Sequence, residues 1–151
     1  MSKLGPWDFC KLMAYHRRVA RWLKEGKPLV AYMAHPYSGN PQENVVKARM
    51  HMAELHQYLP RLVIINPLDN FKAIDGETDE VILPMCKALI AKSDLVIFTG
   101  DRDDVMKSKG CAEEFAAAHD EYLIPCFSYQ SFRSSVQTCY WLTPFLDFRF
   151  Y

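Results

Sequence analysis

The chain has 151 residues, half of them apolar, and its eighteen basic residues balance eighteen acidic ones. That length and composition fit one globular domain, 1–151, with a sizeable core. The balanced charge gives no electrostatic footprint for nucleic acid or for an anionic membrane surface. No apolar run has the length of a membrane span, and charges interrupt every stretch that could form a signal-peptide core, so a soluble, cytoplasmic protein is expected.

Residues 6–25 are predicted to form an amphipathic helix. Phe9, Leu12, Met13, His16, Val19, Trp22 and Leu23 recur near a 3.6-residue period, and Gly26 and Pro28 supply the stop. This extension, 1–27, is expected to cover a sheet face or a subunit contact. The apolar run 29–34 predicts a buried strand, followed by the loop His35-Pro-Tyr-Ser-Gly39. Asn40, Pro41 and Glu43 then open a helix, with Asn as the cap, Pro at the first helical position and Glu three residues after the cap. That helix is expected to reach about residue 58, with Val45, Ala48, Met52 and Leu55 along its apolar stripe.

A second strand is predicted over 61–67, a polar loop over 68–77 and a helix from about 78 to 92 containing Pro84. Leu83, Met85, Cys86, Leu89 and Ile90 are its expected core side. Next come a strand over 94–99, a loop over 101–109, a helix from Gly110 to about Glu121 and a strand over 123–128. Strands alternating with helices imply a parallel sheet with right-handed crossovers. The expected fold is α/β, a flavodoxin/Rossmann-like three-layer sandwich with a mostly parallel five-stranded sheet and an extra N-terminal helix. The tail, 129–151, is less regular, yet Trp141, Phe145, Phe148, Phe150 and Tyr151 make it too apolar to dangle.

The segment 108–118, Ser-Lys-Gly-Cys-Ala-Glu-Glu-Phe-Ala-Ala-Ala, carries the most chemistry. It sets a carboxylate on the first turns of a helix that follows a strand's C-terminal end, where open α/β sheets place their ligands. At 100° per residue, Cys111, Phe115 and Ala118 share one side and Glu114 lies roughly 60° from Cys111, on the shoulder of that stripe. Glu113 lies roughly 160° away, toward solvent. Glu114 is therefore the candidate nucleophile or base. Ser108 and Gly110 at the same helix start are candidate anion contacts. At the end of the first strand, pleating sends Tyr32 and Ala34 to one face and Met33 to the other. Tyr32 is a candidate partner for the carboxylate, or simply a core tyrosine. His35 is a candidate base or ligand contact, or a structural histidine, and Tyr37, Ser38 and Gly39 are candidate ligand contacts.

Several chemistries find no pattern. There is no GxGxxG or GxxxxGKS spacing, no HExxH, no zinc-type Cys/His spacing and no GxSxG elbow. No metal and no cofactor are expected. The cysteines, Cys10, Cys86, Cys111, Cys126 and Cys139, are odd in number with no CxxC, and predict reduced, mostly buried thiols.

Three stretches taken together, 34–46 around His-Pro-Tyr-Ser-Gly, 86–94 ending in Ser93-Asp94, and 108–115, resemble the nucleoside 2-deoxyribosyltransferase-like superfamily. The resemblance is greatest to a small bacterial and phage branch with a His-Pro-Tyr-Ser-Gly loop, and it covers roughly residues 29–128. It implies cleavage or transfer of the N-glycosidic bond of a deoxynucleoside or its 5′-monophosphate. Glu114 would then be the nucleophile and Tyr32 its orienter. Ser108 would lie near the sugar hydroxyl or the phosphate. The implied partner is a small-molecule nucleoside or nucleotide, with no nucleic acid and no membrane, and the implied assembly is a homodimer or larger homo-oligomer. Relatives that end in tyrosine bring its terminal carboxylate to the substrate, and this chain ends in Tyr151. The family carries an Asp for the leaving base eight residues before the strand-opening Asp94, and here that position is Cys86. Asp79 or Glu80 then takes that role, or the chemistry differs, or it is lost. The alternative is a nucleotide-binding protein without turnover, a sensor or sponge for a nucleotide signal. A plainer one is an interaction protein whose aromatic ends form an oligomer interface.

Overall fold

Strand β1 (Val30–Ala34) lies between β2 (Val63–Ile65) and β3 (Leu95–Phe98), with β4 (Cys126–Ser128) beyond β3. Every pairing is parallel, in the order β2-β1-β3-β4. This arrangement comes from a computed structural model of the chain, which describes Arg17 and residues 28–74, 76–130 and 132–133. The helix expected over 6–25 lies outside the described residues except for Arg17, which is helical, and so does most of the tail.

The sheet has four strands among the described residues, not the five expected. The four apolar runs read from the sequence account for all of them, and no further strand forms among the described residues. All four residues of β3 are buried, as befits an interior parallel strand covered on both faces. Asp94 fastens the start of the sheet: its Oδ2 accepts from Val30 N at 2.9 Å, and its own N–H donates to Val30 O at 2.7 Å.

The helix α1 (Pro41–Tyr58) begins as its cap chemistry predicts, with Asn40 Oδ1 accepting from Glu43 N at 3.4 Å. Two segments expected as loops are helical instead. Asn66 Oδ1 accepts from Leu68 N at 3.2 Å and Pro67 fits the first helical position, so the short helix α2 (Pro67–Asn70) forms, followed by a 3₁₀ turn over Lys72–Ile74. The stretch after Asp101 becomes α4 (Arg102–Lys107), with Asp103 and Asp104 in the first turn and Lys107 in the last, the order that suits a helix dipole. Between them lies α3 (Asp79–Ala91), which contains Pro84. After α4 comes α5 (Lys109–Ala116), which continues into a π turn over Ala117–Glu121.

Pleating sorts the core into two clusters. Leu29, Ala31, Met33, Leu95 and Ile97 pack with Ala48, Leu55 and Leu59, on or just beyond α1. Tyr32, Ala34, Val96 and Phe98 pack on the other face with Cys86 and Ile90 of α3 and Cys111 of α5. The chain leaves β1 toward β2 and leaves β3 in the opposite direction toward β4. The order therefore reverses between β1 and β3, the topological position at whose C-terminal strand ends open α/β sheets generally take ligands. No helix among the described residues is long and apolar enough to cross a membrane.

Candidate active site

Tyr32 Oη donates to Glu114 Oε1 at 2.6 Å inside the protein. The bond joins residues 82 positions apart, one in the middle of β1 and one on the second turn of α5. Pleating turns Tyr32 toward the α3–α5 face. There the ring is fully buried, which leaves its hydroxyl needing a partner that the carboxylate supplies.

Glu114 is only 6 % exposed. The buried row of α5 and its continuation is Cys111, Glu114, Ala117 and Ala118, so Glu114 sits at the centre of the inward stripe rather than on its shoulder. Phe115, expected inside, is 43 % exposed and lies against Phe98 and His119 at ring separations of 5.9 and 4.9 Å. Hydrophobic phase misplaces the centre because it counts a carboxylate as a surface group. The Tyr32 hydroxyl donating at the core side reverses that preference. Glu113 does not run free into solvent, since its Oε2 pairs with Lys87 Nζ of α3 at 3.3 Å.

Cys86 of α3 lies beside both Glu114 and Tyr32. Burial raises the Glu114 carboxyl from an ordinary 4.5 to about 7, and the bond from Tyr32, with the Cys86 thiol alongside, restrains the rise. Burial, with the Glu114 charge beside it, pushes the Tyr32 phenol far above its usual range, so it stays a donor. Burial likewise lifts the Cys86 thiol to about 11 and the Cys111 thiol to about 12. Both thiols are free and buried. The Cys126 thiol, half-buried, meets Ile124 O at 3.4 Å.

Ser108 is the cap of α5, and its Oγ accepts from Cys111 N at 3.2 Å. Its hydroxyl hydrogen is not used by that bond. Gly110 lies in the first turn, two residues on. Tyr37, Ser38 and Gly39 are exposed on the loop after β1. The Asn44 side chain holds that loop, donating to Tyr37 O at 3.1 Å and Ser38 O at 3.2 Å. Asp79 and Glu80 stand exposed at the start of α3, seven and six residues before Cys86, about 10 Å along the helix. Cys86 meets Glu114 in their place.

His35 belongs to the other face. Its Nδ1 lies 2.9 Å from Thr99 Oγ1, and its ring centroid is 6.0 Å from that of His51 on α1. The structure thus brings Tyr32 and Glu114 together, sets Ser108 and Gly110 at the start of the same helix, and separates His35 from them by the sheet. Cys86 had a place only through the resemblance, at the position of the acid for the leaving base, and Thr99 is a partner that sequence reasoning did not name. A parallel register setting Ala34 beside Phe98 also sets His35 beside Thr99, so the second was within reach of strand pairing.

No group of three or more His, Cys, Asp or Glu side chains among the described residues is gathered to hold a metal ion. An open groove of about 450 Å³ lined by Asn70, Phe71, Met85, Ala88, Leu89 and Lys92 does not include Tyr32, Glu114 or Cys86. Neither a family model, nor a curated protein, nor a solved structure matches the chain.

Proposed function

We propose that this protein cleaves or transfers the N-glycosidic bond of a deoxynucleoside or deoxynucleoside 5′-monophosphate, with Glu114 as nucleophile. The observation that carries this reading is the buried bond from Tyr32 Oη to Glu114 Oε1, 2.6 Å long, joining β1 to α5. In the reaction the ionised Glu114 attacks the anomeric carbon as the bond to the base breaks, the bonding electrons leaving with the base. Water then releases the sugar, or a second base accepts it, and the carboxylate is restored. Tyr32 fixes the carboxylate's orientation. Ser108 and Gly110, with Tyr37, Ser38 and Gly39 of the β1 loop, serve the sugar or phosphate. The same reading includes a flavodoxin/Rossmann-like sandwich and a cytoplasmic homodimer or larger homo-oligomer.

The test is release of free base from a panel of deoxynucleosides and their 5′-monophosphates, followed by chromatography. Wild type should release base and Glu114→Ala should not. Tyr32→Phe should retain activity reduced by about 10- to 100-fold, the scale of a lost orienting bond to a charged group. No release across the panel, or equal release by wild type and Glu114→Ala, would overturn the proposal.

A second reading, nucleotide binding without turnover, is favoured by Cys86. A thiol lifted to about 11 is a poor acid for a departing base, and a carboxyl at about 7 is half protonated at neutral pH. Calorimetry that finds nucleotide binding with no product would select this reading.

A further inference from the structure

The loop after β1 is held at two points. His35 and Pro36 are buried, and the chain emerges at Tyr37, Ser38 and Gly39, which are exposed. At its root the His35 imidazole meets Thr99 Oγ1 at 2.9 Å. Farther out, Asn44 of α1 reaches back to the loop. The Asn44 N–H is bonded to Asn40 O at 2.9 Å, as the helix requires, so its side chain is left for the loop. Nδ2 lies 3.1 Å from Tyr37 O and 3.2 Å from Ser38 O. Both partners are carbonyls, which only accept, so the amide nitrogen must face them, and each of its two hydrogens has a taker. A planar trans peptide points its C=O and N–H in opposite directions. With the Tyr37 and Ser38 carbonyls drawn to Asn44, the N–H groups of Ser38 and Gly39 turn away from it. No backbone hydrogen bond among the described residues uses either N–H.

We propose that Asn44 is a positioning residue for substrate: by holding two carbonyls back, it presents the Ser38 and Gly39 amides as donors to the oxygens of the sugar or of its 5′-phosphate. This role rests on the loop serving substrate, as in the reaction above. A sugar or a phosphate offers many acceptor oxygens. Loop carbonyls turned toward them would repel, and loop amides turned toward them would bind. Asn44 decides which of the two a substrate meets, and it acts through Ser38 and Gly39 rather than by touching the substrate. Its effect falls on binding, because the Tyr32–Glu114 pair is built from β1 and α5 without it.

Base release is measured with deoxyadenosine, deoxycytidine, deoxyguanosine and thymidine, each as the nucleoside and as its 5′-monophosphate. Asn44→Leu and Asn44→Asp keep the size of the side chain and remove the donor. Both should raise KM about ten-fold and leave kcat within about two-fold of wild type, the pattern of binding lost equally from ground and transition states. A rise confined to the monophosphates assigns the amides to the phosphate, and a rise shared by the nucleosides assigns them to the sugar. Gln42→Leu, exposed at the start of the same helix, should change neither constant. In ¹⁵N relaxation the Ser38 and Gly39 amides should lose order in Asn44→Leu. Asn44 variants that melt cooperatively and keep the wild-type KM would overturn the proposal, as would a fall in kcat with KM unmoved or a loop as ordered as in wild type. Base release that needs Glu114 while the Asn44 variants keep KM removes this proposal alone. Wild type that binds these nucleotides in calorimetry without releasing base removes the glycosidase reading alone, and the Kd of the Asn44 variants then decides by the same ten-fold rise. Neither binding nor release by wild type removes both.

Discussion

His35 Nδ1 and Thr99 Oγ1 lie 2.9 Å apart, one step beyond the last paired residues of β1 and β3 and on the sheet face opposite Glu114. Thr99 Oγ1 donates its single hydrogen to Ala34 O at 3.1 Å. The hydrogen between Thr99 and His35 must then come from the imidazole. Neutral His35 is thereby fixed as the Nδ1–H tautomer, with Nε2 bare. The two central strands are tied at their C-terminal ends by this relay, just where the loop toward Tyr37 and Ser38 begins.

The relay predicts sensitivity to acid. Burial lowers His35 from an ordinary 6.5 to about 4, with His51 and Lys47 adding to the fall and Asp104 opposing it. A base with a depressed folded pKa contributes stability that is present above its unfolded value. That contribution is lost as pH falls from about 6.5 through about 4. Denaturant melts of His35→Gln should show a shallower loss over this window than wild type. Thr99→Val should lower stability by about 1–3 kcal/mol at pH 7, because it strips a partner from both Ala34 O and His35. Equal acid slopes in wild type and His35→Gln would count against the assignment.

Glu114 carries the opposite sign. Its folded pKa of about 7 lies above the ordinary 4.5, so the folded protein holds its proton more tightly than the unfolded chain does. The native state is relatively favoured below about 4.5, and this advantage is lost as pH rises through about 7. Glu114→Gln should therefore be more stable than wild type at pH 8, by up to about 3 kcal/mol, and the gain should disappear at pH 4. Glu113→Gln, which breaks only the half-exposed pair with Lys87, should change stability by less than about 1 kcal/mol at either pH. A gain in Glu114→Gln that does not vary with pH would show that the carboxyl titrates normally.

Gly100 predicts a steric limit beside the same relay. Its φ is +107°, and a Cβ there would lie 3.3 Å from His35 Cε1 and 3.3 Å from Pro36 Cδ. The proline ring cannot swing aside as a long side chain would. Gly100→Ala should lower stability by about 2 kcal/mol, from backbone strain and the forced shift of His35-Pro36. In a urea titration the midpoint should fall with little change in slope. A midpoint equal to wild type would mean that the loop yields freely.

The sequence by itself determined the strands and the main helices. The apolar runs are short and bounded by turn residues, and Asn40-Pro41 with Glu43 marks the start of α1 as its cap geometry confirms. It also separated Tyr32 from Met33, because pleating obeys a two-residue period whatever surrounds it. Local signals were weaker at 66–74 and 101–107, where a cap and a few favourable charges made short helices out of polar segments.

Only the tertiary structure decided how the candidate site is built. A helical period can rank Glu114 against Glu113, but it cannot supply the hydroxyl that lets a carboxylate replace Phe115 at the centre of the buried stripe. That donor comes from β1, 82 positions away in sequence. His35 moved the other way, since one more step along the pleat turns it to α1 and to Thr99 on the neighbouring strand. The burial cost of a charged or polar group is set by partners that only the packed sheet and helices bring into reach. That is why residue types and spacing named Glu114 and Tyr32, while packing joined them and placed Cys86 beside both.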